Sequence, residues 1–250
     1  MASVASDKSL NICNIINLEA NMVNRQVKER RFWDWFANYY DSFINTVFKK
    51  TYGTILENMD SDLNLSQNVL EIGTGTGIIP FSICSKVSSV IATDISPGMV
   101  RIANQKLLKS RITNIDFQIQ DSYDLTFPDK SFDVVIASNL FHLLYEPEKP
   151  LKEISRVMKD DGIFIAPTLC VGENTKSKIM ATIIGSLSGF KVVNKWSFKE
   201  FKCMLANNGF DIYKESRIEG RFLTAYIAMK KRQSVVPDNK LPSSWVSVVH

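Results

Sequence analysis

Val69-Leu70-Glu71-Ile72-Gly73-Thr74-Gly75-Thr76-Gly77 is a short apolar strand that runs directly into a glycine-rich turn. A helix-forming run, residues 78–86, follows at once. Glycines at alternate positions let the backbone turn sharply and let a ligand approach without Cβ atoms in the way. A helix starting behind such a turn offers free N–H groups and a partial positive charge. The stretch therefore predicts strand, turn and helix in immediate succession. Taken alone it is equally a tight turn with no ligand. Its spacing says more. The dinucleotide fingerprint is G-x-G-x-x-G, whereas here it is G-x-G-x-G with Glu71 two positions before the first glycine.

The same rhythm continues downstream. Short, nearly all-apolar runs at 69–72, 90–93, 116–119, 134–137 and 163–167 alternate with helical segments at 78–86, 97–109 and 147–158. Strands this apolar are buried on both faces, and strand-helix alternation predicts a doubly wound α/β sheet. Residues 172–189 read as an inserted helix and 197–207 as another. Two further strands, 210–217 and 222–229, flank the turn Glu219-Gly220, so they pair antiparallel. Upstream, residues 23–60 read as helical. Val27, Phe32, Trp35, Phe36, Tyr39, Phe43, Val47 and Ile55 fall near a spacing of three to four and form one apolar stripe, of which Trp35, Phe36 and Phe43 are expected to serve in part as packing residues. Residues 1–22 and 231–250 are polar or proline-bearing and are expected to be poorly ordered. The organisation expected is thus a mobile N-terminus (1–22), a helical N-terminal lid (23–60), one ligand-binding domain (61–230) with a cap insert (169–190), and a tail (231–250).

Bulk properties fit this picture. The apolar fraction is 45% and the charged fraction 22%, as in ordinary globular proteins. The net charge of +4 is mild and its cations are scattered, which argues against a dedicated nucleic-acid binder. No apolar run reaches the length of a membrane span, and the first residues do not form a signal-peptide core. Cys13, Cys84, Cys170 and Cys203 lie far apart, so neither a zinc site nor a disulfide framework is expected, and the thiols fit a reduced, cytoplasmic protein.

Two acidic residues complete the first motif. Asp94 ends the second strand in Ile91-Ala92-Thr93-Asp94, where a carboxylate can accept both hydroxyls of an adenosine ribose. Gln120-Asp121-Ser122 follows the third strand, again at the carboxyl edge where ligands bind. With these on the page, the chain resembles the class I S-adenosylmethionine (SAM)-dependent methyltransferases. Residues 69–77 resemble their first motif, Ala92-Thr93-Asp94-Ile95-Ser96-Pro97-Gly98-Met99 their second-strand motif, and 127–135 the segment leading into their fourth strand. Residues 151–162 resemble the helix entering the fifth. Within the superfamily the likeness is to the ubiquinone/menaquinone C-methyltransferase branch and its small-molecule and lipid relatives.

That resemblance implies a Rossmann-like doubly wound seven-stranded sheet, mostly parallel with an antiparallel final strand, and SAM as cofactor with S-adenosylhomocysteine as product. Carried over, Glu71 supports the turn and the methionine amino end. Gly73, Thr74, Gly75 and Gly77 let the backbone approach the amino-acid portion. Asp94 binds the ribose, Ile95 and Met99 pack on the adenine, and Asp121 and Ser122 meet its edge. Asn139 and Leu140 line the sulfonium side.

Methyl transfer from a sulfonium is an in-line displacement, and a base is needed only where the nucleophile must lose a proton. His142, just past the fourth strand, is either that base or a pocket-shaping residue. Tyr40, in the pair Tyr40-Asp41, is either a cofactor or catalytic contact or part of a packing helix; Tyr39 and Trp33 are candidate pocket walls. Lys176, Lys178, Ile179, Met180, Ile183, Ile184 and Leu187 in the insert either cap the acceptor or only pack. The expected acceptor is a small molecule. The alternatives are an RNA or protein acceptor, whose N-P-P-Y or D-P-P-Y signature is absent, and a non-catalytic module, whose motifs would be damaged. A nicotinamide oxidoreductase would need the missing G-x-G-x-x-G spacing.

Overall fold

A computed structural model describes residue 27, residues 30–188 and residues 192–233. The expectations for residues 1–22, most of the tail and Cys13 lie outside these residues. The elements run α1 (30–47), α2 (Lys49–Met59), β1 (Asn68–Ile72), α3 (Ile78–Ile83), β2 (Ser89–Asp94), α4 (Pro97–Leu108) and β3 (Ile115–Ile119). They continue with β4 (Phe132–Ile136), α5 (Glu148–Val157), β5 (Met158–Ile165), β6 (Thr168–Leu169), α6 (Thr175–Ser188), α7 (Phe198–Asn207), β7 (Phe210–Ile218) and β8 (Thr224–Lys231).

The sheet order is β3-β2-β1-β4-β5-β8-β6, with β7 on the other side of β8. The first five strands are parallel, and β8 runs antiparallel to β5, β6 and β7. Order reverses between β1 and β4, and it is at such a switch point that open α/β sheets bind ligands. The seven expected strands are present. An eighth, the two-residue β6, prolongs the β5 edge along β8. Pro167 separates the two because it has no N–H to give the ladder. β5 also begins earlier than the sequence suggests. The strand was expected at 163–167, yet it starts at Met158 and passes through Asp160-Asp161-Gly162, and its register against β4 shifts between Phe132 and Val134.

Two cores sandwich the sheet. Leu70, Ile72, Val135 and Phe164 bury against Leu151, Ile154 and Val157 of α5 and Phe201 and Leu205 of α7. Val69, Val90, Ala92, Val134 and Ile136 bury against Ile44, Ile55, Ile79, Val100 and Ala103 of the other helices. Each such valine, leucine, isoleucine or phenylalanine contributes about 1.5–3 kcal/mol when fully removed from water.

One expectation is overturned. Trp35, Phe36 and Phe43 of the apolar stripe were expected to pack in part, yet Phe36 is only half-buried and the stripe's fully buried member is Ile55, in α2. Val27, Trp35, Tyr39 and Phe43 are exposed, Trp35 at 63% and Tyr39 at 59%. α1 turns a different side inward, built on Asp34, Ala37, Tyr40, Asp41 and Ile44. Hydrogen bonding decides the matter. Asp34 Oδ1 accepts from Ser96 Oγ at 2.6 Å and from the Gly98 N–H at 2.8 Å. Asp41 accepts from Thr76 Oγ1 and pairs with Lys106 Nζ at 2.9 Å. The two carboxylates are seven residues apart, two helical turns, so they share one face. A Cβ on Gly98 would lie 2.7 Å from Asp34 Cα, so glycine there permits the close approach.

Asp34→Ala removes the acceptor of two donors beside the α4 N-terminus. It is expected to loosen α1 by about 1–3 kcal/mol. Hydrogen exchange should show faster exchange in α1 while β1, β4 and β5 stay protected. Unchanged α1 exchange would show that these contacts do not hold the helix.

Candidate functional site

The site begins where β1 ends. Gly73, Gly75 and Gly77 all take left-handed φ values, 70°, 57° and 84°. L-residues with a Cβ rarely adopt these, which is why the turn is written in glycine. Thr74 N–H donates to the Thr93 carbonyl at 2.9 Å and ties the turn to β2. Glu71, 1% exposed, points beneath it and accepts from Thr74 Oγ1. Burial pushes the Glu71 carboxyl up to about 8, with the charge of Asp94 adding to the rise.

Asp94 stands at the carboxyl end of β2. Its Oδ2 accepts from the Gly75 N–H at 2.8 Å and its Oδ1 from the Ser96 N–H at 2.9 Å. Burial outweighs these hydrogen bonds and raises its carboxyl to about 6. Ser96 caps α4 by accepting from the Met99 N–H at 3.1 Å, with Pro97 at the first helical position.

Around these residues opens a cleft of about 910 Å³, counted with its solvent mouth. It brings together Tyr40, Gly73, Gly75, Asp94, Ile95, Met99, Asp121, Ser122, Asn139 and Leu140, drawn from four strand ends and α1. Glu71, Thr74 and Gly77 lie beneath or behind the turn and do not line it. Asp121 shapes its own loop, since its Oδ1 accepts from the Tyr123 N–H at 3.0 Å. Tyr123 OH in turn accepts from the Tyr145 N–H at 3.2 Å and steadies the opposite rim.

The loop after β4 is strained at one residue. Asn139 has φ 52°, unusual for a side chain with a Cβ. Its N–H donates to the Pro167 carbonyl at 2.7 Å, and its Nδ2 donates to Tyr52 OH at 3.3 Å. Tyr52 OH also meets Tyr40 OH at 3.4 Å. Burial raises both phenols, Tyr40 the more, with Tyr52 beside it contributing, so both stay neutral hydrogen-bonding groups. Among the described residues, the buried Asn139 Oδ1 accepts no hydrogen bond. A neutral chain, Tyr40–Tyr52–Asn139, thus crosses from the glycine turn to the β4 loop.

Two candidates fall elsewhere. His142 does not line the cleft; it is 2% exposed, within the single turn Phe141–Leu143. Burial pushes its imidazole down to about 3, so it is neutral across the physiological range. Its carbonyl accepts from the Val193 and Asn194 N–H groups, and Asn194 Nδ2 donates to the Phe141 carbonyl at 3.1 Å. Of the two candidate walls, Trp33 lines the cleft and Tyr39 does not, because α1 points Tyr39 outward. No α6 residue lines the cleft either. Met180 packs on a small cluster of Val171, Ala181 and Phe222, while Lys176, Lys178, Ile179 and Ile183 face solvent. The side chains of Ile184 and Leu187 lie outside those described.

Sequence reasoning missed Arg30, Tyr123, Leu143, Leu144 and Tyr145 as cleft residues, and Tyr52 behind them. The rim tyrosines carry no motif. Asp34 had a usable signal, its seven-residue spacing from Asp41.

Comparison with known proteins follows the same outline. A family model described as a methyltransferase domain matches residues 70–166. The ubiquinone/menaquinone biosynthesis C-methyltransferase UbiE of Citrifermentans bemidjiense is 29% identical over 189 residues, covering 67% of this chain and 80% of its own. Two further relatives are spanned over only 58% and 51% of their own lengths. Among solved structures, a complex between the Haloferax volcanii Trm112 methyltransferase activator and a putative methyltransferase aligns with a TM-score of 0.68 at 18% identity, over 80% of this chain and 98% of that one. The complex of DhpI with SAH aligns with a TM-score of 0.66 at 19% identity, over 83% and 97%.

Proposed function

The chain is a class I SAM-dependent methyltransferase, and from that premise we propose that its acceptor is a small molecule held by neutral hydrogen-bonding groups. SAM, when bound, supplies a methyl group already activated on a sulfonium. The protein's task is then to bind, align and exclude water.

The residues present fit that cofactor. The observation that carries the reading is Asp94. Each of its oxygens receives one backbone N–H, and each keeps a further lone pair for a ribose hydroxyl. Gly73 and Gly75, both left-handed, leave the turn without side chains where it faces the cleft. Ile95 and Met99 offer an apolar wall for the adenine, and Asp121 and Ser122 its polar edge. Tyr40, beside Gly75, would meet the amino-acid end; a Cβ on Gly75 would lie 3.4 Å from its ring. Asn139 and Leu140 would face the reacting methyl.

The acceptor end is correspondingly mild. Tyr40, Asn139, Trp33, Leu143, Leu144 and Tyr145 give hydrogen bonds and apolar surface, with Arg30 at the mouth. We assign His142 to positioning: it stitches the β4 loop to residues 193–194 and does not take the acceptor's proton. The nucleophile is therefore one that needs no strong protein base, such as the ring carbon or oxygen of an electron-rich phenol or quinol in its ionised form, with the proton released to solvent. The relative above, named as a C-methyltransferase of ubiquinone/menaquinone biosynthesis, supports the same chemistry.

The test is a product screen. Methyl-labelled SAM is incubated with quinols, phenols, thiols, amines, phospholipid head groups, RNA and protein, and the labelled product identified by mass. Label on a phenol or quinol is the expected result; label confined to RNA or protein would overturn it. His142→Gln should leave the shape of the kcat pH profile unchanged, because the imidazole is already neutral. A limb present in the wild type and lost in the variant would restore the base role.

A further inference from the structure

α1 presents outward a face that the core does not use. Arg31, Trp35, Tyr39 and Phe43 recur at four-residue spacing, and Lys49 and Lys50 follow just beyond, all exposed. The rings form one connected row. Trp35 and Tyr39 lie 5.9 Å apart, Trp35 and Phe36 6.2 Å, Phe36 and Phe43 5.5 Å. Residues 30–50 contain two carboxylates, Asp34 and Asp41. Both are committed inward, to Ser96 and Gly98 and to Thr76 and Lys106. The outer face is therefore aromatic in the middle and cationic at both ends.

α6 adds an aliphatic face with cations at its N-terminal end. Its sequence from Thr175 to Ser188 contains no acid, and Lys176, Lys178, Ile179 and Ile183 are exposed. The two faces are joined through Phe48. Its ring lies 5.8 Å from Phe43 and packs on the cluster that holds Met180 and Ala181 of α6.

We propose that these outer faces of α1 and α6 dock the protein on an anionic lipid surface. Tryptophan and tyrosine settle at the boundary between head groups and acyl chains, because one part of the ring system is apolar and the other polar. Lysine and arginine at the ends of such a stripe meet anionic head groups, which draw basic residues within a Debye length of the surface. A face with cations of one sign and no carboxylate complements that surface. Among the described residues no helix is long and apolar enough to cross a membrane, so the contact lies on the bilayer and does not span it. Trp33 and Tyr40, on the inner side of α1, line the cleft. Docking through α1 brings that cleft beside the lipid, where an acceptor dissolved in the membrane is at hand. This last step rests on the small-molecule reading; the docking itself does not.

The experiment is flotation of the full chain with vesicles of phosphatidylcholine alone or mixed with phosphatidylglycerol, at low and high salt. No turnover is measured, so the result is independent of the acceptor. The wild type should float with the mixed vesicles, and salt or the neutral vesicles should weaken this. Trp35→Ala/Tyr39→Ala and Lys49→Glu/Lys50→Glu should each lower binding by about tenfold or more, with the circular dichroism spectrum and SAM binding unchanged. No flotation of the wild type, or full flotation of both folded variants, overturns the proposal. So does a wild-type dimer in light scattering that dissociates in Trp35→Ala/Tyr39→Ala, which would assign the face to a second copy.

Discussion

Asp94→Ala is expected to weaken SAM binding at least about a hundredfold, measured by calorimetry at neutral pH. Two ribose hydroxyls donating to a buried carboxylate are worth about 1.5–3 kcal/mol each, so their loss amounts to about 3 kcal/mol or more. The substitution also frees the Gly75 and Ser96 N–H groups that Asp94 now receives, which loosens the turn itself. Asp94→Asn separates the two effects. It keeps the shape and one acceptor oxygen, and loses the charge.

The wild type carries its own control in pH. Burial raises the Asp94 carboxyl to about 6, and the ionised form is the one that accepts hydroxyls. From about pH 6 to about pH 5 the ionised fraction falls about fivefold, so SAM affinity should fall by the same factor. The α-amino group of SAM does not titrate in that range. Asp94→Asn should bind weakly with no such slope. Wild-type affinity in Asp94→Ala, or a flat wild-type profile from about pH 6 to about pH 5, would remove Asp94 from the ribose role.

The sheet and half of the cleft were legible because their signals are local. Glu71 through Gly77 are consecutive, and Asp94 ends the very next strand. Each of Asp94, Asp121 and Asn139 follows a strand whose apolar run marks its end. What stayed hidden depends on pairs far apart in sequence. Asn139 meets Tyr52 across 87 positions, and neither residue has a motif to announce it. The orientation of α1 was misread for a related reason. Its most apolar stripe points to solvent, because Asp34 and Asp41 find donors on α4, at Thr76 and on Lys106, and only one face can turn inward. Periodicity identifies an amphipathic helix but does not say which partner satisfies its polar side. His142 looked like a base by position alone; its burial is a property of the packed loop and of residues 193–194, some fifty positions away.

Glu71 gives the cofactor-free protein an expected slope of stability with pH. Its carboxyl is 1% exposed and is pushed up from 4.5 to about 8, mainly by burial. Between those values the folded state holds a proton that the unfolded state releases. The sign follows: stability is fully present below about pH 4.5 and is lost as pH rises through about 8. Over the whole range the loss is about 5 kcal/mol, at 1.36 kcal/mol per unit. Two other groups interfere at the acid end. Asp94, raised to about 6, adds a slope of the same sign below that pH. His142, lowered to about 3, adds one of opposite sign below the imidazole's ordinary 6.5. Between about pH 6.5 and about pH 8 both are silent, and Glu71 alone should cost about 2 kcal/mol. For a chain of this size that is a fall of about 4–8 °C in Tm. Glu71→Gln keeps the side-chain shape and an oxygen for Thr74 Oγ1 to donate to, but has no proton to lose. Its Tm should stay level across the same window. Calorimetric melts of both proteins at the two ends decide the matter: parallel losses in wild type and variant would show that Glu71 is not the titrating group.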